Sequence, residues 1–147
     1  MIDSNLVLLA GLASSLFMTG LIWFVDCVHY PLFDRVGASE FARYHEQHSR
    51  ITSYVVIGPM MIELVASILL VIQRPPGSGR MLVWAGLIAC VSTWTATGLL
   101  SVPMHQILSS GFDPKAHRRL VRTNRVRVVA WTLHSLILVR MVANAMR

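Results

Sequence analysis

Four apolar segments, at roughly residues 5–33, 51–72, 80–108 and 119–145, take up most of this chain of 147 residues. A helix needs about 20 predominantly apolar residues to cross the hydrocarbon of a bilayer, and each segment is long enough to do so. Only 14% of the residues are charged and 54% are hydrophobic, with a mean hydropathy of +0.58. Soluble domains carry about 25% charged residues, so this is the composition of a chain that lipid surrounds. The expected fold is all-α: a four-transmembrane-helix bundle, a single integral membrane domain over residues 1–147, with a short interfacial helix between the first and second spans.

The connections follow from turn chemistry. Pro31 bends or ends the first span. Residues 34–37 form a break, and residues 38–49 read as the interfacial helix, with Ser39 as its N-cap. The second span contains Pro59, a kink that neighbouring helices must absorb. RPPGSG (74–79) is a turn. Pro103 lies near the end of the third span, SSGFDP (109–114) is a loop, and Asp113-Pro114 is a helix start. The last helix has a basic first part and enters the membrane near Val126. The first apolar run has no basic residue before it and is too long for a signal-peptide core, so it is expected to stay as a span. Cys27 and Cys90 both fall in apolar segments and read as small buried side chains.

Lys and Arg number 13 against 7 Asp and Glu. Nine of the 13 basic residues lie in or beside the 34–50 and 109–125 connections. The positive-inside rule then puts that side in the cytoplasm and both termini outside, in a bacterial inner membrane. The excess also touches anionic lipid, so no nucleic-acid partner is expected. A homo-oligomer is compatible with so short a chain.

Polar residues at helical spacing mark the faces turned away from lipid. The first span carries Ser15, Thr19, Trp23, Asp26 and Tyr30, with His29 one turn from Asp26. Thr93, Thr97, Ser101 and His105 recur every four residues in the third. The fourth has Asn124, Arg127, Trp131 and His134, and the second has Glu63 one turn beyond Pro59. ASEFARYHEQHSR (38–50) adds His45 and His48, three apart and therefore on one helix face. One pocket near the cytoplasmic side is expected to gather these groups, closed below by Glu63 and His134.

Several chemistries suit such a set. His45 and His48 offer a chelating pair, and His105, Glu63 and His29 would complete a metal site. Imidazoles joined by a carboxylate suit iron, copper or zinc, with iron or copper favoured for redox work. Asp26 would orient His29, Asp26 and Tyr30 would move protons, and Asn124 with Arg127 would bind a phenolate or another oxyanion. The function expected is a metal-dependent oxidoreductase acting on a lipophilic small molecule. Alternatives are a proton or metal-ion carrier, haem held by two facing histidines, and a purely structural bundle in which Arg127 neutralises Asp26 or Glu63. Singly, each Ser or Thr reads as bonded back to its own helix, and each Trp as an interface anchor or core residue.

Three stretches resemble the anthrone-oxygenase-like family of small four-helix membrane proteins: GLIWFVDCVHYPLF (20–33), SVPMHQIL (101–108) and TNRVRVVAW (123–131). In that family the third helix typically ends in a Val-Pro-x-Asn-like element and the fourth carries Asn-x-x-Arg. Asn124 and Arg127 match the latter. His105 stands where Asn is common, and His45 with His48 is an addition, which suggests a subgroup with its own histidine site. Some family members are associated with oxygenation of polycyclic phenols, so the resemblance implies an oxidoreductase.

Overall fold

The computed structural model describes residues 3–147 and is helical almost throughout. Helix α1 (Ser4–Phe24) passes into a π-helical turn (Val25–His29) and a 3-10 turn (Pro31–Arg35). Helix α2 (Ala38–Gln73) is followed by α3 (Arg80–Ala96), a second π turn (Thr97–Ser101), α4 (Val102–Leu108) and α5 (Pro114–Ala145). Together these make four helical stretches long and apolar enough to cross a membrane: Ser4–Arg35, Ala38–Gln73, Arg80–Leu108 and Pro114–Ala145. Large side chains such as Leu6, Leu16, Ile88 and Leu136 are half or more exposed on the bundle surface. A lipid-facing exterior accounts for that exposure, since lipid solvates these groups as well as a protein core does.

The segment expected as a separate interfacial helix is instead continuous with the second span, giving 36 unbroken residues. No Pro or Gly intervenes between 38 and 57, so nothing in the backbone stops the helix at the membrane boundary. The helix is preceded by Gly37, which has no side chain to cap it, rather than by Ser39. Pro59 lies within it. The start of α5 is as expected. The Asp113 carboxylate accepts from the N–H groups of Ala116 and Lys115 at 2.8 and 2.7 Å, and Pro114 occupies the first turn. Those two bonds, Ala116 first, hold the Asp113 carboxyl below its ordinary value. The cap is therefore intact above the ordinary Asp range and is lost as pH falls through the lowered value.

Both π turns end two residues before a proline, Pro31 in one case and Pro103 in the other. A proline has no N–H for the carbonyl four residues back, and its ring crowds that carbonyl. The preceding turn opens to an i→i+5 bond instead, Tyr30 N–H to the Val25 carbonyl and Val102 N–H to that of Thr97. Each wide turn changes the phase of the side chains that follow it.

The spans pack as a square. Helix α1 touches α2 and α5, and α3 touches α2 and α5. The diagonally opposed α2 and α5 meet through long side chains. One apolar cluster fills the end nearest the 34–37 break, around Phe33, Phe41, Leu108, Leu120 and Trp131. A second, around Leu8, Leu70, Val83 and Met141, fills the opposite end. Between them lies a polar layer of Ser15, Glu63, Ser67, His134 and Ser135, all buried. Close approach of α1 to α2 requires Gly11, where an added Cβ would stand 3.0 Å from the Ala66 Cβ.

The α2–α3 turn depends on Gly77, at φ +70°, where a Cβ would lie 2.6 Å from the Asn144 carbonyl oxygen. Gly77→Ala is expected to destabilise the bundle by about 1–2 kcal/mol, since an L side chain is disfavoured at that φ and here also meets backbone. Thermal unfolding in detergent checks this. A midpoint unchanged from the parent protein would contradict it.

Candidate functional site

The first π turn and α2 bring their imidazoles together. His29 Nε2 lies 2.9 Å from His48 Nδ1, and Thr52, one turn beyond His48, places its hydroxyl 3.1 Å from the same nitrogen. His45, one turn before His48, sets Nε2 3.0 Å from His105 Nδ1. His48 is the hub: its ring centroid is 4.6 Å from that of His29, 5.7 Å from His105 and 6.1 Å from His45. Phe33, fully buried, packs edge-on against the rings of His29, His45 and His48 and fixes their tilt.

A hydrogen-bonded chain leaves this cluster. The Tyr30 hydroxyl is 2.9 Å from His105 Nε2. Arg127 Nη1 donates to the Tyr30 hydroxyl at 3.4 Å, to Ser101 Oγ at 3.2 Å and to Asn124 Oδ1 at 3.2 Å. Asn124 Nδ2 then donates to Asp26 Oδ1 at 3.1 Å. Guanidinium can only donate, so the Tyr30 oxygen accepts from Arg127. The proton order along Tyr30, His105 and His45 then depends on the imidazole tautomers. In either order His45 Nδ1, at the end of the chain, is a buried nitrogen without a partner.

The second polar centre is self-contained. Glu63 Oε2 accepts from Trp131 Nε1 at 3.0 Å, and its Oε1 faces His134 Nδ1 at 3.6 Å. Thr19 donates to the Trp131 carbonyl, which obliges Ser135 to donate to Thr19 and Ser15 to donate to Ser135. Ser15 is then an acceptor towards His134 Nδ1, 3.2 Å away, so that nitrogen carries the proton. Ser67 closes the ring at His134 Nε2, 3.3 Å.

The expected single pocket is thus two centres. Glu63 and His134 lie together as anticipated, but fifteen residues separate Glu63 from His48, about 22 Å along one helix. Glu63 is placed with Trp131, away from the histidines. The expected orientation of His29 by Asp26 is also absent: Asp26 turns to Asn124 and His29 to His48. Both lie in the π turn, whose wider pitch replaces the α-helical spacing on which that pairing depended. Arg127 forms no ion pair with Asp26 or Glu63. Among the described residues the ion pairs are Arg35 with Asp34 and His134 with Glu63. Arg127 instead lies 5.3 Å from the centroid of the Trp131 ring and so bridges the two centres.

Of the expected stripes, Thr93 and Thr97 only bond back to their own helix. Ser101, Asn124, Arg127, Trp131 and His134 all face inwards. Sequence reading missed His117, whose Nε2 donates to the Tyr30 carbonyl at 2.8 Å. That carbonyl also accepts the Phe33 N–H at 3.1 Å in the 3-10 turn, so His117 takes its second lone pair, a partnership visible only once the turn is known. Phe33 was missed as well.

Imidazoles are the right donors for iron, copper or zinc. Two nitrogens on one metal with bonds of about 2.0–2.1 Å at the tetrahedral angle lie about 3.3 Å apart, so both histidine pairs are a few tenths of an ångström from ligand spacing. Here they form two hydrogen-bonded pairs. Among the described residues no three imidazole, thiol or carboxylate groups converge on one point in the way a bound metal requires.

A cavity of about 360 Å³ opens against the cluster between α2 and the α3–α4 stretch, lined among others by His48, His105, Tyr30, Ser101, Arg127 and Val56. Another, of about 380 Å³, lies on the other side of His48 against α1, lined by His29, Tyr44 and Leu21. Both are of a size that holds small molecules.

Fold and site define a membrane-type four-helix bundle with a histidine cluster near one end. No protein-family model, curated protein or solved structure matches the chain.

Proposed function

We propose that this chain is an integral-membrane oxidoreductase that uses a histidine-held transition metal, iron or copper, on a lipophilic small molecule, as its resemblance to the anthrone-oxygenase-like proteins suggests. One observation carries the reading: three imidazoles surround His48, making a cluster of four from three helical segments with a ligand-sized cavity on either side. Hydrocarbon does not solvate such groups singly, and a shared ligand would give four imidazoles at one depth a purpose beyond their mutual hydrogen bonds.

His48, with His29, His45 and His105, would hold the metal once the two hydrogen-bonded pairs open by a few tenths of an ångström and turn towards one another. The metal would supply electron transfer and Lewis acidity. Tyr30 exchanges a proton with His105 Nε2, and Phe33 limits water near the imidazoles. Asn124 holds the Arg127 guanidinium, while Asp26 fixes the Asn124 amide so that its oxygen faces Arg127. Substrate enters sideways from lipid through the cavity beside Val56. The distribution of Lys and Arg supports placing this end on the cytoplasmic side of a bacterial inner membrane.

Elemental analysis of the purified protein tests the proposal. About one equivalent of iron or copper per chain is expected, natively or after reconstitution. Less than about a tenth of an equivalent of any transition metal, with no gain on reconstitution, would end it. A visible Soret band would show haem in its place.

The unbroken chain from His45 through His105, Tyr30, Arg127 and Asn124 to Asp26 favours a second reading, proton carriage. A guanidinium donates and does not accept, so Arg127 interrupts the path and the first reading is preferred. Proton flux in liposomes that Tyr30→Phe abolishes would reverse that preference.

A further inference from the structure

The least satisfied charge in the bundle is Arg127. Its side chain is buried, with 7% of the residue exposed. All its hydrogen bonds run through Nη1 to neutral oxygens of Tyr30, Ser101 and Asn124. Its Nε is buried and has no partner. No carboxylate of the described residues pairs with it: Asp26 is reached only through Asn124, and Glu63 is held by Trp131. Burying a guanidinium among neutral groups costs several kcal/mol unless an anion joins it.

Arg127 lines the cavity between α2 and the α3–α4 stretch. Ser49 lines it too, and its buried hydroxyl is a second donor without a partner. Val56 and Val102 provide apolar wall. A buried guanidinium without an anion on the wall of a cavity that also carries a hydroxyl and apolar surface suits a planar two-oxygen anion on a hydrocarbon body. We propose that this cavity binds a lipophilic carboxylate, its charge met by the Arg127 guanidinium. The inference deepens the reading of this cavity as the substrate's place, but it needs no metal.

Full-length protein in maltoside micelles, dialysed at alkaline pH against radiolabelled laurate and separately against 1-dodecanol, tests it. The two probes differ in charge and share a twelve-carbon chain. Laurate is expected to bind about 30-fold more tightly, the worth of a charge-assisted hydrogen bond in a buried site. Arg127→Gln should remove the difference, and Arg127→Lys should keep part of it. Equal binding of the two probes, or a preference that survives in Arg127→Gln, overturns the proposal. Should Arg127→Gln fail to fold, Val56→Trp fills the cavity with Arg127 intact. Loss of laurate there supports the site, and undiminished laurate binding overturns it. Chelator-treated protein separates the two readings. Laurate preference in a protein that never takes up metal sinks the metal alone, and metal without laurate preference sinks the carboxylate alone.

Discussion

Trp131→Ala is expected to be the most destabilising single substitution in the chain, costing about 5 kcal/mol. Truncating a buried tryptophan to alanine costs about 3–5 kcal/mol through lost contacts and the cavity left behind. Trp131 is completely buried in the larger apolar cluster, so the upper part of that range applies. The substitution also removes the Nε1 donor from Glu63, whose other oxygen already lacks a hydrogen-bond partner. A buried acceptor deprived of its partner adds about 1–3 kcal/mol. Trp131→Phe separates the two contributions by keeping most of the ring while deleting the donor, and about 2 kcal/mol is expected. Adding Glu63→Leu to Trp131→Phe should then recover part of that loss, because the acceptor no longer needs satisfying. Unfolding in a graded detergent series reads all three. A double variant no more stable than Trp131→Phe would show that the Trp131–Glu63 bond is not what holds α2 to α5.

His48→Ala should give the largest functional effect. Metal affinity is expected to fall by at least about a hundredfold, since the ring that neighbours the other three imidazoles is gone. The fold should tolerate the change with a loss of about 1 kcal/mol, because His48 is half-buried and borders two cavities. His105→Ala is the contrasting case. It strips partners from both the Tyr30 hydroxyl and His45 Nε2, so metal and stability should fall together. Metal content measured beside the thermal midpoint distinguishes the two variants. Unchanged metal content in His48→Ala would remove the hub from the proposed centre.

Much of the architecture was legible because burial in lipid is a property of one helix at a time. The stripe Asn124, Arg127, Trp131 and His134 could be placed inward from spacing alone, and all four are buried. Asp113-Pro114 announced the start of α5 for a similarly local reason. The interfacial helix was harder to delimit, because amphipathic and spanning portions of one helix share the same backbone and nothing in α2 separates them. The partners of Asp26 and His29 were not legible at all. Their three-residue spacing suggests a contact in an α-helix, while Pro31 widens that turn and sends one side chain to α5 and the other to α2.

By itself the sequence determined that four helices are long and apolar enough to cross a membrane, and that the stripe of Asn124, Arg127, Trp131 and His134 looks inward, whereas Trp23 of the first-span stripe is exposed. Those conclusions need only the solvation of single side chains and the pitch of a helix. The tertiary structure alone decided how the interior groups divide, four imidazoles near one end and Glu63 with His134 in the middle, with Arg127 between them and short of an anion. Partnership depends on depth, on helix rotation and on two proline-widened turns, and those are relations between helices that no single span records.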